Sequence, residues 1–146
     1  MILSIFSPEN LIILIKLVLS IVLAEVTGLE RQRAQKSAGF RTYAIVSLGA
    51  CMISLVSIGA FSDSIGVTNF DPSRIISNII VSSGFIGAGI IFHQGLKVEG
   101  LTTAAGIWVS AIIGIAVALN FYFLAIAGTL IVLILMGIFG RFDLDR

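Results

Sequence analysis

The sequence contains very little of what most catalytic, metal-binding and nucleic-acid-binding proteins use. Only 12% of its 146 residues are charged, Cys51 is the only cysteine and His93 is the only histidine. A lone cysteine excludes an intrachain disulfide and a cysteine-rich metal motif. A net charge of +1 creates no broad field that would attract nucleic acid, so no nucleic-acid partner is expected.

Acidic residues are equally sparse. Eight Asp and Glu residues are scattered along the chain, and only Glu25 lies clearly inside an apolar segment. No Ser, His and Asp set and no pair of convergent carboxylates can be recognised. We therefore predict no catalytic residues, no metal site and no cofactor, and we expect a protein that is not an enzyme.

Hydrophobic residues, in contrast, make up 58% of the chain, and the mean hydropathy is +1.11. A soluble domain of this size needs far more polar surface to cover its core. Five apolar segments approach the roughly 20 residues that cross about 30 Å of hydrocarbon. They lie at residues 11–29, 40–61, 75–92, 101–119 and 121–139. The sequence predicts an all-α polytopic membrane protein with five transmembrane helices in a single domain over residues 1–146.

The basic residues lie almost entirely on one side of these predicted spans. Arg74 stands alone on the other side, whereas seven basic residues share the first side: Arg31, Arg33, Lys36, Arg41, Lys97, Arg141 and Arg146. Because cytosolic segments carry the excess of Lys and Arg, this asymmetry predicts an N-terminus outside and a C-terminus in the cytosol.

The segment after the first span predicts where the first helix ends. Residues 30–36 contain no helix breaker and are rich in helix formers, so the helix is expected to continue through Lys36. Gly39 is placed to adopt the left-handed conformation that often follows a helix. Residues 93–100, between the third and fourth spans, are predicted to form a short loop.

Three polar residues within spans leave alternatives open. Lys16 can extend toward the headgroups or face a polar interior. Glu25 either contributes to a polar site between helices or lies near the interface and pairs with Arg31 or Arg41. Asn78 needs a partner in hydrocarbon, and this partner is either another helix or a ligand.

Small residues at helical spacing indicate close helix packing. They fall in two stretches, one in the third predicted span and one in the fourth. The residues expected to form packing contacts are Gly84, Gly87, Gly89, Gly106, Ser110 and Gly114.

Three blocks of sequence carry a resemblance to a known family. They read GLERQ at residues 28–32 with Lys36 and AGFRT close behind, GFIGAGII at residues 84–91, and GLTTAA at residues 100–105 followed by Trp108. In this order the blocks resemble the MgtC/SapB family of bacterial inner-membrane proteins. The match is to the short SapB-like branch, which lacks the soluble C-terminal domain of the better-known members.

This resemblance implies a five-span, multi-pass protein of the bacterial inner membrane. It also implies a role in magnesium homeostasis and stress response, because better-known members are linked to growth at low magnesium and survival in host cells. The polar residues of the matching blocks, together with Glu25 and Asn78, form a candidate polar functional site. Its members are Glu25, Glu30, Arg31, Gln32, Arg41, Thr42, Asn78, Thr102 and Thr103.

Two functional hypotheses follow. The leading one is a non-enzymatic regulator of another membrane system, as the resemblance implies, with lipid, another membrane protein complex and further copies of the chain as partners. The alternative is a transporter of a small solute or of a cation such as Mg²⁺, in which Glu25, Lys16 and Asn78 line a pathway.

Overall fold

A computed structural model describes residues 7–59, 71–94 and 97–142 of the chain. Five helices follow one another: α1 (Pro8–Arg33), α2 (Phe40–Gly59), α3 (Pro72–Ala88), α4 (Leu101–Ala118) and α5 (Tyr122–Phe142). α1, α2 and α4 are long and apolar enough to cross a membrane, while the apolar parts of α3 and α5 are shorter. The predicted all-α class is therefore confirmed.

Residues 93–100 do not form the simple loop that was predicted. A short antiparallel hairpin of β1 (Phe92–Gln94) and β2 (Lys97–Glu99) joins α3 to α4, with Phe92 opposite Glu99. α4 then begins at Leu101, after the N-cap residue Gly100, whose φ of 89° lies in the left-handed region, and no side chain caps the helix. A Cβ at Gly100 would overlap the carbonyl oxygen of Ile90, so both the conformation and the space require glycine.

Side-chain caps start α1 and α3, as expected for Ser and Asp before Pro. The Ser7 hydroxyl accepts a hydrogen bond from the Asn10 N–H at 3.3 Å, and the Asp71 carboxylate accepts one from the Ser73 N–H at 2.9 Å. The side-chain and backbone hydrogen bonds from Ser73 hold the pKa of Asp71 below its usual range.

The predicted end of α1 was wrong. The helix ends at Arg33 rather than Lys36, and Gln35, not Gly39, adopts the left-handed conformation with a φ of 51°. The Lys36 N–H donates to the Arg31 carbonyl and the Gln35 N–H to the Gln32 carbonyl, each at 3.0 Å. This pair of bonds is a Schellman motif, and it satisfies two carbonyls that the helix itself cannot.

α4 is the central helix, and it contacts all four others. Twelve of its 18 residues are buried, including Ile107, Ala111 and Val117. α3 packs mainly on α4 and α2, so it lies at the edge of the bundle. The end of the bundle where α1 and α5 finish and α2 and α4 begin is called the Arg31 end below, and the opposite end is called the Lys16 end.

Candidate functional site

The turn between α1 and α2 is tight because two positions have no side chain. A Cβ at Gly28 would lie 2.5 Å from the Phe40 Cα, so only glycine lets the start of α2 lie against α1. A Cβ at Gly39 would lie 2.8 Å from the Gln32 side-chain oxygen. Gly39 is therefore needed for this close contact rather than for a left-handed turn.

This close contact helps to bury Arg31 near the end of α1. The residue is only 2% exposed. Its Nε donates to the Glu30 carboxylate, and its Nη2 donates to the Met136 carbonyl of α5 at 3.1 Å. Burying an unpaired guanidinium would cost several kcal/mol, so both partners are part of what keeps the charge inside the protein.

Tyr43 makes a separate contact at the same end of the bundle, between α2 and α4. Its hydroxyl donates to the Thr103 carbonyl at 3.1 Å, and its side chain is fully buried. Gly106 makes the space, because a Cβ there would overlap the Tyr43 hydroxyl and lie 3.0 Å from its Cε1. We call Glu30, Arg31, Tyr43, Thr103 and Met136 the Arg31 cluster.

The Arg31 cluster joins α1, α2, α4 and α5 at one end of the bundle. It contains one cation, one carboxylate, one phenol and two backbone carbonyls, and the described donors and acceptors are directed at one another. Among the described residues no group of three His, Cys, Asp or Glu side chains could hold a metal ion. The geometry is that of a structural polar core rather than of an arrangement of nucleophile and base.

Only some members of the candidate polar site come together. Glu30 and Arg31 pair with each other in the Arg31 cluster, and Thr103 contributes its backbone carbonyl, which accepts from the Tyr43 hydroxyl. The others are spread over the surface: Gln32, Arg41, Asn78 and Thr102 are exposed, and Glu25 and Thr42 are half-buried.

The two open pairings of Glu25 are not formed. Arg31 pairs with its neighbour Glu30, and Arg41 lies over the Phe40 ring with its guanidinium carbon 5.7 Å from the ring centre. Glu25 makes no hydrogen bond or ion pair with any residue that the structure describes.

The six expected packing residues divide between the interior and the surface. Gly87, Gly106, Ser110 and Gly114 are buried, whereas Gly84 and Gly89 are exposed. A Cβ at Gly114 would overlap the Ser47 carbonyl oxygen and lie 3.1 Å from the Cys51 nitrogen, and one at Gly87 would lie 3.3 Å from the Ala104 oxygen. Around Gly84 nothing within the described part of the chain lies within 4 Å.

Lys16 has a role that sequence reasoning left open. Its Nζ donates to the carbonyl of Ala118, the last residue of α4, at 3.0 Å. The last carbonyls of a helix have no intrahelical partner, and a cation there also complements the negative end of the helix dipole. Lys16 therefore caps α4 at the Lys16 end.

The other terminal carbonyls of α4 are satisfied by the following turn. Asn120, with a φ of 66°, donates its N–H to the Val117 carbonyl at 3.2 Å, and Phe121 donates to Ala116 at 2.8 Å. This Schellman motif and Lys16 together satisfy the end of a helix that is long and apolar enough to cross a membrane, where unpaired carbonyls would be costly. The bond between Lys16 and Ala118 could not be predicted from the sequence.

The Arg31 cluster also shows which functional residue sequence reasoning missed. Tyr43 lies one residue beyond the AGFRT block and resembles an ordinary aromatic in an apolar span. Its position directly after Arg41 and Thr42 of that block was the available signal. Only the packing of α2 on α4 shows that its hydroxyl bonds to Thr103.

Comparison with known proteins gives consistent matches. The model of the MgtC family matches residues 17–143. A protein of Haemophilus influenzae without an assigned function is 41% identical over 135 residues, covering 90% of this chain and 57% of the relative. The Escherichia coli protein named "Putative magnesium transporter YhiD" is 38% identical over 130 residues, covering 88% of this chain and 60% of the relative.

Protein MgtC of Salmonella typhimurium is 39% identical over 120 residues, covering 82% of this chain and 49% of the relative. The chain thus spans about half to three-fifths of the length of these relatives. No solved structure matches the chain.

Proposed function

The chain belongs to the MgtC family, and from that premise we propose that it regulates another system of the bacterial inner membrane under magnesium limitation or envelope stress. The family and the three long apolar helices make it a membrane protein. The link to magnesium is supported by the names of two relatives, MgtC and YhiD.

The proposal includes five membrane-spanning helices, with the Arg31 end in the cytosol. Six basic residues of the described part of the chain belong to segments at that end, and Arg74 alone belongs to a described segment at the Lys16 end. The positive-inside rule supports this orientation. A cysteine introduced at Arg33 and labelled with an impermeant maleimide tests it: labelling is expected only after the cells are opened.

One observation carries the regulatory proposal. Lys16 is half-buried and Arg31 is buried in α1, and both side chains bond to other groups of the helix bundle. Lys16 caps α4, and Arg31 pairs with Glu30 and the Met136 carbonyl. Residues that line a transport pathway must be able to exchange partners with water or an ion. Lys16 and Arg31 instead connect helices, which favours a protein that acts through its surface.

A second candidate function is supported by Glu25 and by the name of the YhiD relative. Glu25 is a half-buried carboxylate in α1 without a hydrogen bond or ion pair to a described residue. Carboxylate oxygens are ligands that Mg²⁺ accepts, although it retains several waters. Several copies of Glu25 would be needed for a pathway, because one protomer supplies a single carboxylate there.

Two measurements on the full chain separate these functions. Affinity purification from bacterial membranes after growth at low magnesium is expected to recover a second membrane protein at constant stoichiometry. Purified chain in liposomes loaded with a magnesium indicator is expected to give no flux above empty liposomes. Flux that falls severalfold in Glu25→Gln but not in Gln32→Ala, a polar change at an exposed position, would establish the transporter instead.

A further inference from the structure

The outward surfaces of the helices differ in chemistry. Away from its ends, the exposed positions of α1 include Val18, Val22 and Val26, and those of α5 include Leu130 and Ile134. Aliphatic side chains are what acyl chains accept without cost. These surfaces therefore need no protein partner.

The outward face of α3 breaks this pattern. Asn78, Val81, Ser82 and Phe85 are spaced i, i+3, i+4 and i+7, so they form one stripe along the helix. All four are exposed, Val81 by 73% and Phe85 by 83%. The opposite face of α3 is the one that packs on the bundle, through Ile79, Ser83 and Gly87.

The polar groups of this stripe have no partner among the residues that the structure describes. Ser77 and Ser83, also on α3, donate to the carbonyls of Arg74 and Ile80. Asn78 and Ser82 make no such bond to any described residue. An amide and a hydroxyl one helical turn apart thus both lack a described partner on one face.

The position of Asn78 along α3 makes this costly. α3 has 17 residues, and Asn78 lies six residues after Pro72, which is roughly 9 Å along the helix axis. If α3 spans the membrane, as proposed above, this depth lies beyond the headgroups. Water is absent there, so the amide must bond to another protein group.

The geometry points to a second copy of this chain as that partner: we propose that the outward face of α3 (Asn78, Val81, Ser82 and Phe85) is the interface of a homodimer. An amide carries both a donor and an acceptor, so it can pair with an identical amide. Two copies inserted in the same direction are related by a two-fold axis along the membrane normal, which places the same stripe against itself. Two Asn78 amides then exchange hydrogen bonds.

Cysteine cross-linking in native membranes tests this interface. The single natural cysteine, Cys51, is fully buried in α2, so the unaltered chain serves as the background. Ser82→Cys is expected to give an oxidised product of twice the chain mass. Leu130→Cys, on the exposed face of α5, is the matched control and is expected to give none. Absence of product from Ser82→Cys, or equal product from both, overturns the proposal.

The amide is tested in the Ser82→Cys background. Asn78→Leu removes both hydrogen bonds and is expected to lower the dimer fraction about tenfold at a fixed protein-to-lipid ratio, since interhelical bonds of this kind contribute a factor of several each. Asn78→Gln keeps the amide and is expected to retain most of the cross-linking. Equal cross-linking in Asn78→Leu and in the parent overturns the role of the amide.

Three further outcomes are distinguishable. Rapid labelling of Ser82→Cys by a water-soluble maleimide would show that α3 lies in water, and the proposed span of α3 would fail together with this interface. Protection from that reagent without cross-linking would remove the interface alone. A product containing a different protein would show that another partner covers the face, which overturns the homodimer.

Discussion

α3 and α4 carry similar runs of small residues, but only the run in α4 is buried along its whole length. In α4, Gly106 and Gly114 lie against the Tyr43 side chain and the Ser47 backbone, with no space for a methyl group. In α3, Gly87 packs against Ala104, whereas Gly84 has no described neighbour within 4 Å. The same sequence signal thus marks internal packing in the central helix and, in the peripheral helix, a mixture of packing and open surface.

The difference follows from position in the bundle. α4 contacts four helices, so small residues on several of its sides meet another backbone, whereas α3 has only one packed side. A small-residue pattern indicates that a helix can be approached closely. It does not indicate whether another part of the same chain makes that approach.

The largest effect on stability is expected when a bulky side chain replaces Gly114 of α4, and the same change at Gly84 of α3 provides the comparison. Gly114→Leu is expected to destabilise the fold by more than about 3 kcal/mol, because the side chain would overlap the backbone of α2. Gly84→Leu, the matched control, is expected to change the unfolding free energy by less than about 0.5 kcal/mol. Unfolding of monomers in detergent measures both, and similar losses would contradict the packing described here.

The ion pair at the Arg31 end of the bundle is tested next. Glu30→Gln leaves the Arg31 guanidinium buried without a carboxylate, and a loss of about 2–3 kcal/mol is expected; the Glu30 side chain is 24% exposed, which moderates the effect. Arg31→Met combined with Glu30→Gln removes both charges and is expected to recover at least half of that loss. A double variant less stable than Glu30→Gln would contradict the pairing.

The opposite end of α4 depends on Lys16. Lys16→Met keeps the length of the side chain but leaves the Ala118 carbonyl without its donor, and a loss of about 1–2 kcal/mol is expected. Val18→Met, at an exposed position of the same helix, should have almost no effect on the unfolding free energy. Equal effects at the two positions would show that the cap contributes nothing.

The smallest effect on stability is expected outside α3 and α4, in the turn that follows α1. Gln35 adopts a left-handed conformation after α1, which a side chain disfavours by about 1 kcal/mol. Gln35→Gly is expected to raise the unfolding free energy by about 0.5–1 kcal/mol. Lys36→Gly, at the next position, serves as the control. A loss of stability in Gln35→Gly would contradict the assigned conformation.

Much of the architecture could be predicted from the sequence because it depends on local rules. Apolar segments of about 20 residues placed the helices within a few residues of their observed bounds. The end of α1 was misplaced because Gly39 suggested a left-handed turn. That glycine instead makes space for Gln32, a contact that arises only after α1 and α2 pack together.

The candidate site was predictable in part. The motif blocks contained Glu30, Arg31 and Thr103, which meet in the Arg31 cluster, but also Gln32 and Thr102, which are exposed. Sequence similarity identifies a block shared with the family, but it does not show which side chains of the block face the interior. Tyr43 was not recognised because an aromatic residue in an apolar span has no distinctive pattern.

The sequence by itself determined the class of this protein, the approximate position of its helices and its membership of the MgtC family, since hydropathy, caps and motifs are all local or pairwise properties of the chain. Tertiary structure alone decided that Arg31 would be buried, that Lys16 would cap α4 and that Asn78 would face outward. The physical reason is that the side chains of a helix point in all directions around its axis. Only the packing of the other helices determines whether a given side chain meets protein or lipid.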